Sequence, residues 1–156
     1  MSYLGTTGGA RFRPVDEITV LDRPATATHF VAPGSVTGGQ FGLFRYDMVP
    51  GAGGPGAHFH RTFSESFYIL DGTVRLFDGE NWVSATSGDF LYVPSGGVHA
   101  FSNDADEPAS MLILFAPGAP REDFFVELAE IAEAGRELSV AEWDDFYAKH
   151  DQYMLR

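Results

Sequence analysis

The chain contains no cysteine, which excludes disulfides, thiolate metal sites and a cysteine nucleophile. Basic residues are scarce. Ten Lys and Arg stand against 22 Asp and Glu, a formal net charge of −12 at pH 7. Such a field repels phosphate backbones, so nucleic acid is excluded as a partner. It also offers no basic face to an anionic membrane surface. Long hydrophobic runs are missing as well, and no stretch approaches the ~20 apolar residues that span a bilayer. Residues 1–14 lack the continuous apolar stretch of a signal peptide, so the expected location is cytoplasmic.

What is present is aromatic and glycine-rich. Within 156 residues, a length that suits one domain, 14 are Phe and 18 are Gly. Aromatics favour strands and glycine favours tight turns, so the composition leans toward a β-rich fold. Residues 1–40 are irregular, with short apolar pieces at Ile18–Leu21 and His29–Ala32. Phe41–Met48 alternates as a strand, placing Phe44, Tyr46 and Met48 on one face. A glycine- and proline-rich loop, Pro50–Ala57, follows.

From His58 to Phe115 short apolar runs recur between turn signals. Ser66–Leu70 ends at Asp71-Gly72 and Thr73–Phe77 ends at Asp78-Gly79, both dipeptides suited to hairpins. Trp82–Ala85, Phe90–Val93, His99–Ser102 and Ser110–Phe115 complete the series. Many short strands at close spacing predict an all-β sandwich or barrel. Residues 1–120 are therefore read as a β-barrel with an N-terminal arm.

Residues 121–156 are read as C-terminal helices packed on that barrel. Asp123–Ala134 places Phe124, Leu128 and Ile131 at helical spacing, with Gly135 as the stop. Ser139 and Glu142 form a capping box, after which Trp143, Phe146 and Tyr147 share a face. Such aromatic stripes either line a ligand pocket or, far more commonly, pack a terminal helix on the sheet, which is the expectation here.

The chemistry begins at His58-Phe59-His60. Residues two apart on a strand point to the same face, so the two imidazoles project together while Phe59 turns away. Glu65 lies five residues on, and Phe67 and Ile69 continue its parity. Neutral imidazole with carboxylate is the donor mix for Fe, Mn, Co, Ni, Cu or Zn. An isolated H-x-H is weak evidence by itself. A second segment, Gly88 to Asn103, strengthens it: one strand ends at Pro94–Gly97 and the next opens with His99.

The two segments resemble the paired motifs of the cupin superfamily, in the small single-domain, quercetinase-like form. The pattern G-x5-P-x-G-x2-H-x3-N is matched at every fixed position by Gly88, Pro94, Gly96, His99 and Asn103. The pattern G-x5-H-x-H-x4-E-x6-G is matched by His58, His60, Glu65 and Gly72. Its opening glycine is replaced by Ala52, with Gly51 and Gly53 on either side to supply backbone freedom. The 15 residues between Gly72 and Gly88 resemble the compact microbial members.

The resemblance implies a double-stranded β-helix, or jelly-roll barrel. It further implies one divalent transition metal held by His58, His60, Glu65 and His99, with one or two positions open. Asn103 is implied to brace its turn rather than to ligate. By strand parity, Phe44, Tyr46, Met48, Phe67, Ile69 and Phe101 are candidate substrate-pocket residues, each competing with a plain core role.

Three functions remain open. One is a dioxygenase-type oxidoreductase acting on a small aromatic or enolic molecule, with Glu65 passing between ligand and catalytic base. Another is a non-redox metal-dependent isomerase, lyase or polyketide-type cyclase. The third is a metal- or ligand-binding cupin without turnover. The metal among Fe, Mn, Ni, Cu and Zn is left undetermined. A homodimer is expected, because cupin-like barrels commonly pair through edge strands and residues 11–40 form an exchangeable arm.

Overall fold

The computed structural model describes residues 9–156. Ten strands come first: β1 (Val20–Asp22), β2 (Thr26–Ala32), β3 (Gly42–Met48), β4 (His58–Phe59), β5 (Ser64–Asp71), β6 (Thr73–Phe77), β7 (Trp82–Thr86), β8 (Phe90–Val93), β9 (Ala100–Ser102) and β10 (Ala109–Ala116). Two helices, α1 (Arg121–Glu133) and α2 (Val140–Lys149), follow, and the chain closes with β11 (Tyr153–Met154).

The strands form two antiparallel layers. One is six-stranded in the order β1-β2-β3-β10-β5-β8. The other joins β7-β6-β9 to the pair β4-β11 through an isolated bridge between His58 and His99. This is a jelly-roll fold, the one that the motif resemblance implies.

Period-two alternation explains the core. Along β10, Ala109, Met111, Ile113 and Phe115 are buried while Leu114 faces out. Phe44 and Met48 of β3 and Phe67 and Ile69 of β5 join them from neighbouring strands, and Val74 and Leu76 of β6 oppose them from the second layer. Each large apolar side chain so buried contributes roughly 1.5–3 kcal/mol.

One turn reading is corrected. Asp78-Gly79 does close a β6–β7 hairpin, with Phe77 opposite Trp82. Asp71-Gly72 does not make a hairpin: β5 pairs with β10 and β8, whereas β6 pairs with β7 and β9. The chain there steps from one layer to the other. Gly72 sits at φ +74, and a Cβ on it would run into the carbonyl oxygen of Pro108. The dipeptide reports a left-handed bend, but the choice between folding back and crossing over lies with the two apolar faces.

The helical extension is not an appendage. Ser139 caps α2 by accepting from the Glu142 backbone N–H at 3.1 Å. Gly135, at φ +63, ends α1 with the Arg136 N–H bonded to the Ile131 carbonyl at 3.2 Å. The tail after α2 then returns to the second layer, where Tyr153 pairs with Phe59 and Met154 with His58. No helix is long and apolar enough to cross a membrane among the described residues.

Gly72→Ala is expected to cost more than Gly88→Ala in urea denaturation. Gly88 has φ +92 but open space, so only backbone strain of about 1–2 kcal/mol applies. Gly72 adds the backbone collision, about 1–3 kcal/mol more. Equal losses would show that the Pro108 backbone yields freely.

Asp47, on the outer face, offers a pH test. Burial would raise its carboxyl, but Arg45, Ser110 and His29 outweigh that and hold it below its ordinary value. A depressed carboxyl stabilises the fold above its unfolded pKa and loses that contribution as pH falls through its folded one. Asp47→Asn is therefore expected to be destabilising at neutral pH, by under about 1 kcal/mol for a partly exposed pair. The loss should vanish as pH falls through the depressed folded value; a constant difference across pH would contradict it.

Candidate metal centre

The backbone builds this site before any side chain acts. His58 and His99 exchange two main-chain hydrogen bonds, His58 N to His99 O at 3.0 Å and His99 N to His58 O at 2.9 Å. Directly opposed residues send their side chains to the same face, so the two imidazoles lie side by side with centroids 4.3 Å apart. The strand carrying His58 is only two residues long, and His60 stands just beyond it. Phe59 turns away, as its alternation demands, and stacks on Tyr153 at 5.4 Å.

Glycine makes the approach possible. A Cβ on Gly54 would run into the carbonyl oxygen of Phe101, so the loop leading to His58 passes hard against β9. Gly51 supplies a left-handed bend at φ +73. Ala52, standing where the motif has glycine, is buried, and its carbonyl accepts from the Asn103 N–H at 2.9 Å. Asn103 in turn donates through Nδ2 to the carbonyls of Val49 and Glu107, and its Oδ1 accepts from Ala105 N–H. It braces the turn beside β9.

Candidate ligand atoms of His58, His60, Glu65 and His99 all lie within 4.8 Å of one another, and all four residues are buried. Each imidazole is oriented by its other nitrogen. Nδ1 of His58 donates to the Gly56 carbonyl at 2.8 Å, that of His60 to Asp151 O at 2.7 Å, and that of His99 to Gly97 O at 3.0 Å. With the proton on Nδ1, the lone pair of each ring sits on Nε2, the state in which imidazole binds a metal.

That arrangement has an electrostatic consequence. The Nε2 atoms of His60 and His99 stand 2.9 and 2.7 Å from the same oxygen, Oε2 of Glu65. Two lone pairs cannot face a carboxylate at that distance without a positive charge between them, either an extra proton or a metal ion. Burial opposes ionisation of both partners, yet Glu65 is held well below the usual carboxylate range by His99 and His60, and Glu65 raises His99. His58 goes the other way. Burial and the neighbouring His99 push it down to about 3, so it remains a neutral donor. Three nitrogens and one carboxylate oxygen, buried and pre-oriented, fit a divalent transition metal. His58, His60, Glu65 and His99 would hold it.

Beside these residues opens a cavity of about 340 Å³, with His58 and Glu65 in its wall. Of the six pocket residues anticipated by parity, Tyr46 and Phe101 line it, whereas Phe44, Met48, Phe67 and Ile69 sit in the core between the layers. The helices supply much of the remaining wall through Arg121, Phe124, Phe125 and Tyr147. Of the two readings of the aromatic stripes, the less common one, lining a pocket, holds for Phe124, Leu128 and Tyr147. Period-3.6 patterning shows which face of a helix is apolar but not whether that face meets a sheet or a void.

Two contributors escaped the sequence reading. Asp151 has φ +54, and its carboxylate accepts from the N–H groups of Arg61 and Thr62 at 2.9 and 2.8 Å, which positions its carbonyl against His60. Nothing in the local sequence marks that role. Arg121 is buried in the cavity wall. Its one signal is a cation in the first turn of a helix, where the helix dipole disfavours it.

Known proteins can now be set beside this geometry. A model of the cupin-domain family matches residues 44–115. That span includes all four candidate ligands. Over 73 residues it is 32% identical to quercetin 2,3-dioxygenase of Bacillus subtilis (strain 168), a match covering 47% of this chain and 21% of that protein. The chain thus spans about a fifth of that relative's length. Among solved structures, a predicted oxalate decarboxylase from Thermotoga maritima superposes at TM-score 0.61 and 21% identity, covering 69% of this chain and 99% of that one. The polyketide cyclase RemF from Streptomyces resistomycificus gives 0.57 at 16% identity, covering 69% and 80%. At such identities these structures speak for the fold alone.

Removing a ligand of this cupin site tests it. Wild-type protein purified without added metal is expected to carry near-stoichiometric metal by mass spectrometry. Glu65→Ala and His99→Ala should each weaken binding by more than about a hundredfold, beyond the loss caused by removing an outer hydrogen-bonding partner. Unchanged metal content in both variants would overturn the ligand set.

Proposed function

We infer that this chain is a metal-dependent cupin enzyme, a dioxygenase-type oxidoreductase acting on a small aromatic or enolic molecule. The observation that carries this reading is the opening of a buried three-histidine, one-glutamate cluster directly onto an aromatic-lined cavity. The volume suits a small organic substrate. Similarity to the Bacillus subtilis quercetin 2,3-dioxygenase supports it.

The residues divide the work. His58, His60 and His99 would hold a divalent ion through Nε2, because a carbonyl partner locks each ring at Nδ1. A divalent Fe, Mn, Ni or Cu ion supplies the Lewis acidity and redox access to dioxygen that the side chains lack. Phe101, Phe124 and Phe125 exclude water and orient a planar substrate by ring contacts. Glu65 is the group placed to take a proton at a carboxylate oxygen from a substrate hydroxyl, since it faces the cavity and its charge is maintained at neutral pH.

A second reading, non-redox cyclisation, isomerisation or lyase chemistry, uses the same residues with zinc and Glu65 as acid–base group. It draws on the likeness of fold to RemF and on the same carboxylate. An oxygen electrode separates the two. Protein loaded with Fe, Ni, Mn or Cu and given quercetin and simpler enols is expected to consume oxygen in step with substrate, and to stop under anaerobic conditions. Full turnover without oxygen, or with zinc alone, would replace the first reading by the second. Ligand binding with no product under any metal would leave a binding protein.

A further inference from the structure

The cavity wall holds a positive charge that metal binding does not call for. Arg121 is 4% exposed, at the start of α1. Its guanidinium lies 4.1 Å from the centroid of the Phe124 ring and 5.3 and 5.5 Å from those of Phe115 and Phe63. Nη1 donates to the His150 carbonyl at 3.0 Å and Nη2 to Gln152 Oε1 at 3.1 Å, while Nε has no protein partner.

Both acceptors are neutral. The carboxylates whose charge reaches Arg121, Glu65 and Asp151, act through space rather than by contact. Each is engaged elsewhere: Glu65 with His60 and His99, Asp151 with Arg61 and Thr62. Burial lowers the guanidinium to about 10, which still leaves it charged at pH 7. The other arginine of the wall, Arg23, is partly exposed and paired with Glu133 at 2.5 Å.

A buried cation without a contacting counter-charge is costly, and tying the tail to α1 does not require one. A neutral amide can donate to the same carbonyl. Guanidinium has five N–H donors, and the two acceptors above engage only part of that fork. A divalent ion held by Glu65 adds positive charge to the same wall, so a loaded site favours an anion further. The acidic surface opposes anions only at range, where salt screens it over about 8–10 Å.

We propose that Arg121 recognises an anionic oxygen, a carboxylate, enolate or phenolate, on the molecule that fills the cavity, whose apolar body lies against Phe101, Phe124 and Phe125. This specifies the substrate class of the metal site and rests on the reading given above. It makes Arg121 a substrate-binding residue contributed by the helical extension rather than by the barrel.

The test is calorimetric binding of benzoate and of its neutral counterpart benzamide to zinc-loaded protein, where no redox turnover intervenes. Benzoate is expected to bind about tenfold or more tightly, the scale of a hydrogen bond to a charged group. In Arg121→Met that ratio should fall by about tenfold, to whatever preference the zinc ion alone imposes, while zinc stoichiometry stays at the wild-type level. Arg121→Gln keeps a donor for the His150 carbonyl and gives the same reading if the methionine variant does not fold. Equal binding of the two probes to wild type, absence of benzoate binding, or a ratio unchanged in the variants would each overturn the proposal. Failure of the wild-type protein to bind zinc would instead sink the metal reading. The probe ratio on metal-free protein would then judge Arg121 separately.

Discussion

Everything at this site follows from the orientation of three imidazole rings. A backbone carbonyl claims Nδ1 of His58, His60 and His99 in turn, which commits each Nε2 lone pair to a common point. Glu65 brings a carboxylate to the same place, and the assembled donors require a positive charge among them. The structure around them serves that requirement. Paired backbone bonds set His58 beside His99, Gly54 lets the approaching loop pass under Phe101, and Asn103 fastens the turn beside β9.

The helical extension changes what the barrel can do. Without α1 and the returning tail, the mouth beside His58 and Glu65 would stand open to water. With them, phenylalanine rings line the approach, the charged groups interact through a less polarisable medium, and hydrogen bonds there gain strength. The tail has a second task, since Asp151 presents the carbonyl that orients His60. The same segment that closes the cavity therefore also tunes the ligand set. Stability and chemistry are coupled through residues 121–156, which a reading confined to the barrel motifs would treat as peripheral.

Legibility differed sharply between levels. Strand positions were readable because alternation is a local property: Thr73–Phe77 and Phe90–Val93 coincide with β6 and β8, and the helix stop at Gly135 and cap at Ser139 stand where spacing put them. The cluster of candidate ligands was readable because H-x-H and the later histidine sit at strand starts whose parity aims them inward. Pocket residues were harder. Phe67 and Ile69 share the face of Glu65 yet are buried in the core, while Tyr46 and Phe101, packed at the edge of the same core, also line the cavity. Parity gives a side chain's face; it does not say whether that face meets packing or space.

The amino-acid order alone determined the strand and helix inventory, the jelly-roll resemblance and the four candidate ligand positions, because each depends on spacings of a few residues along one chain direction. Only the folded structure decided that Asp71-Gly72 crosses between layers, that Asp151 orients His60 from 91 positions away, and that Arg121 stands in the cavity wall. Those depend on which surfaces meet after long loops close, and contacts so distant in sequence leave no periodic trace in it.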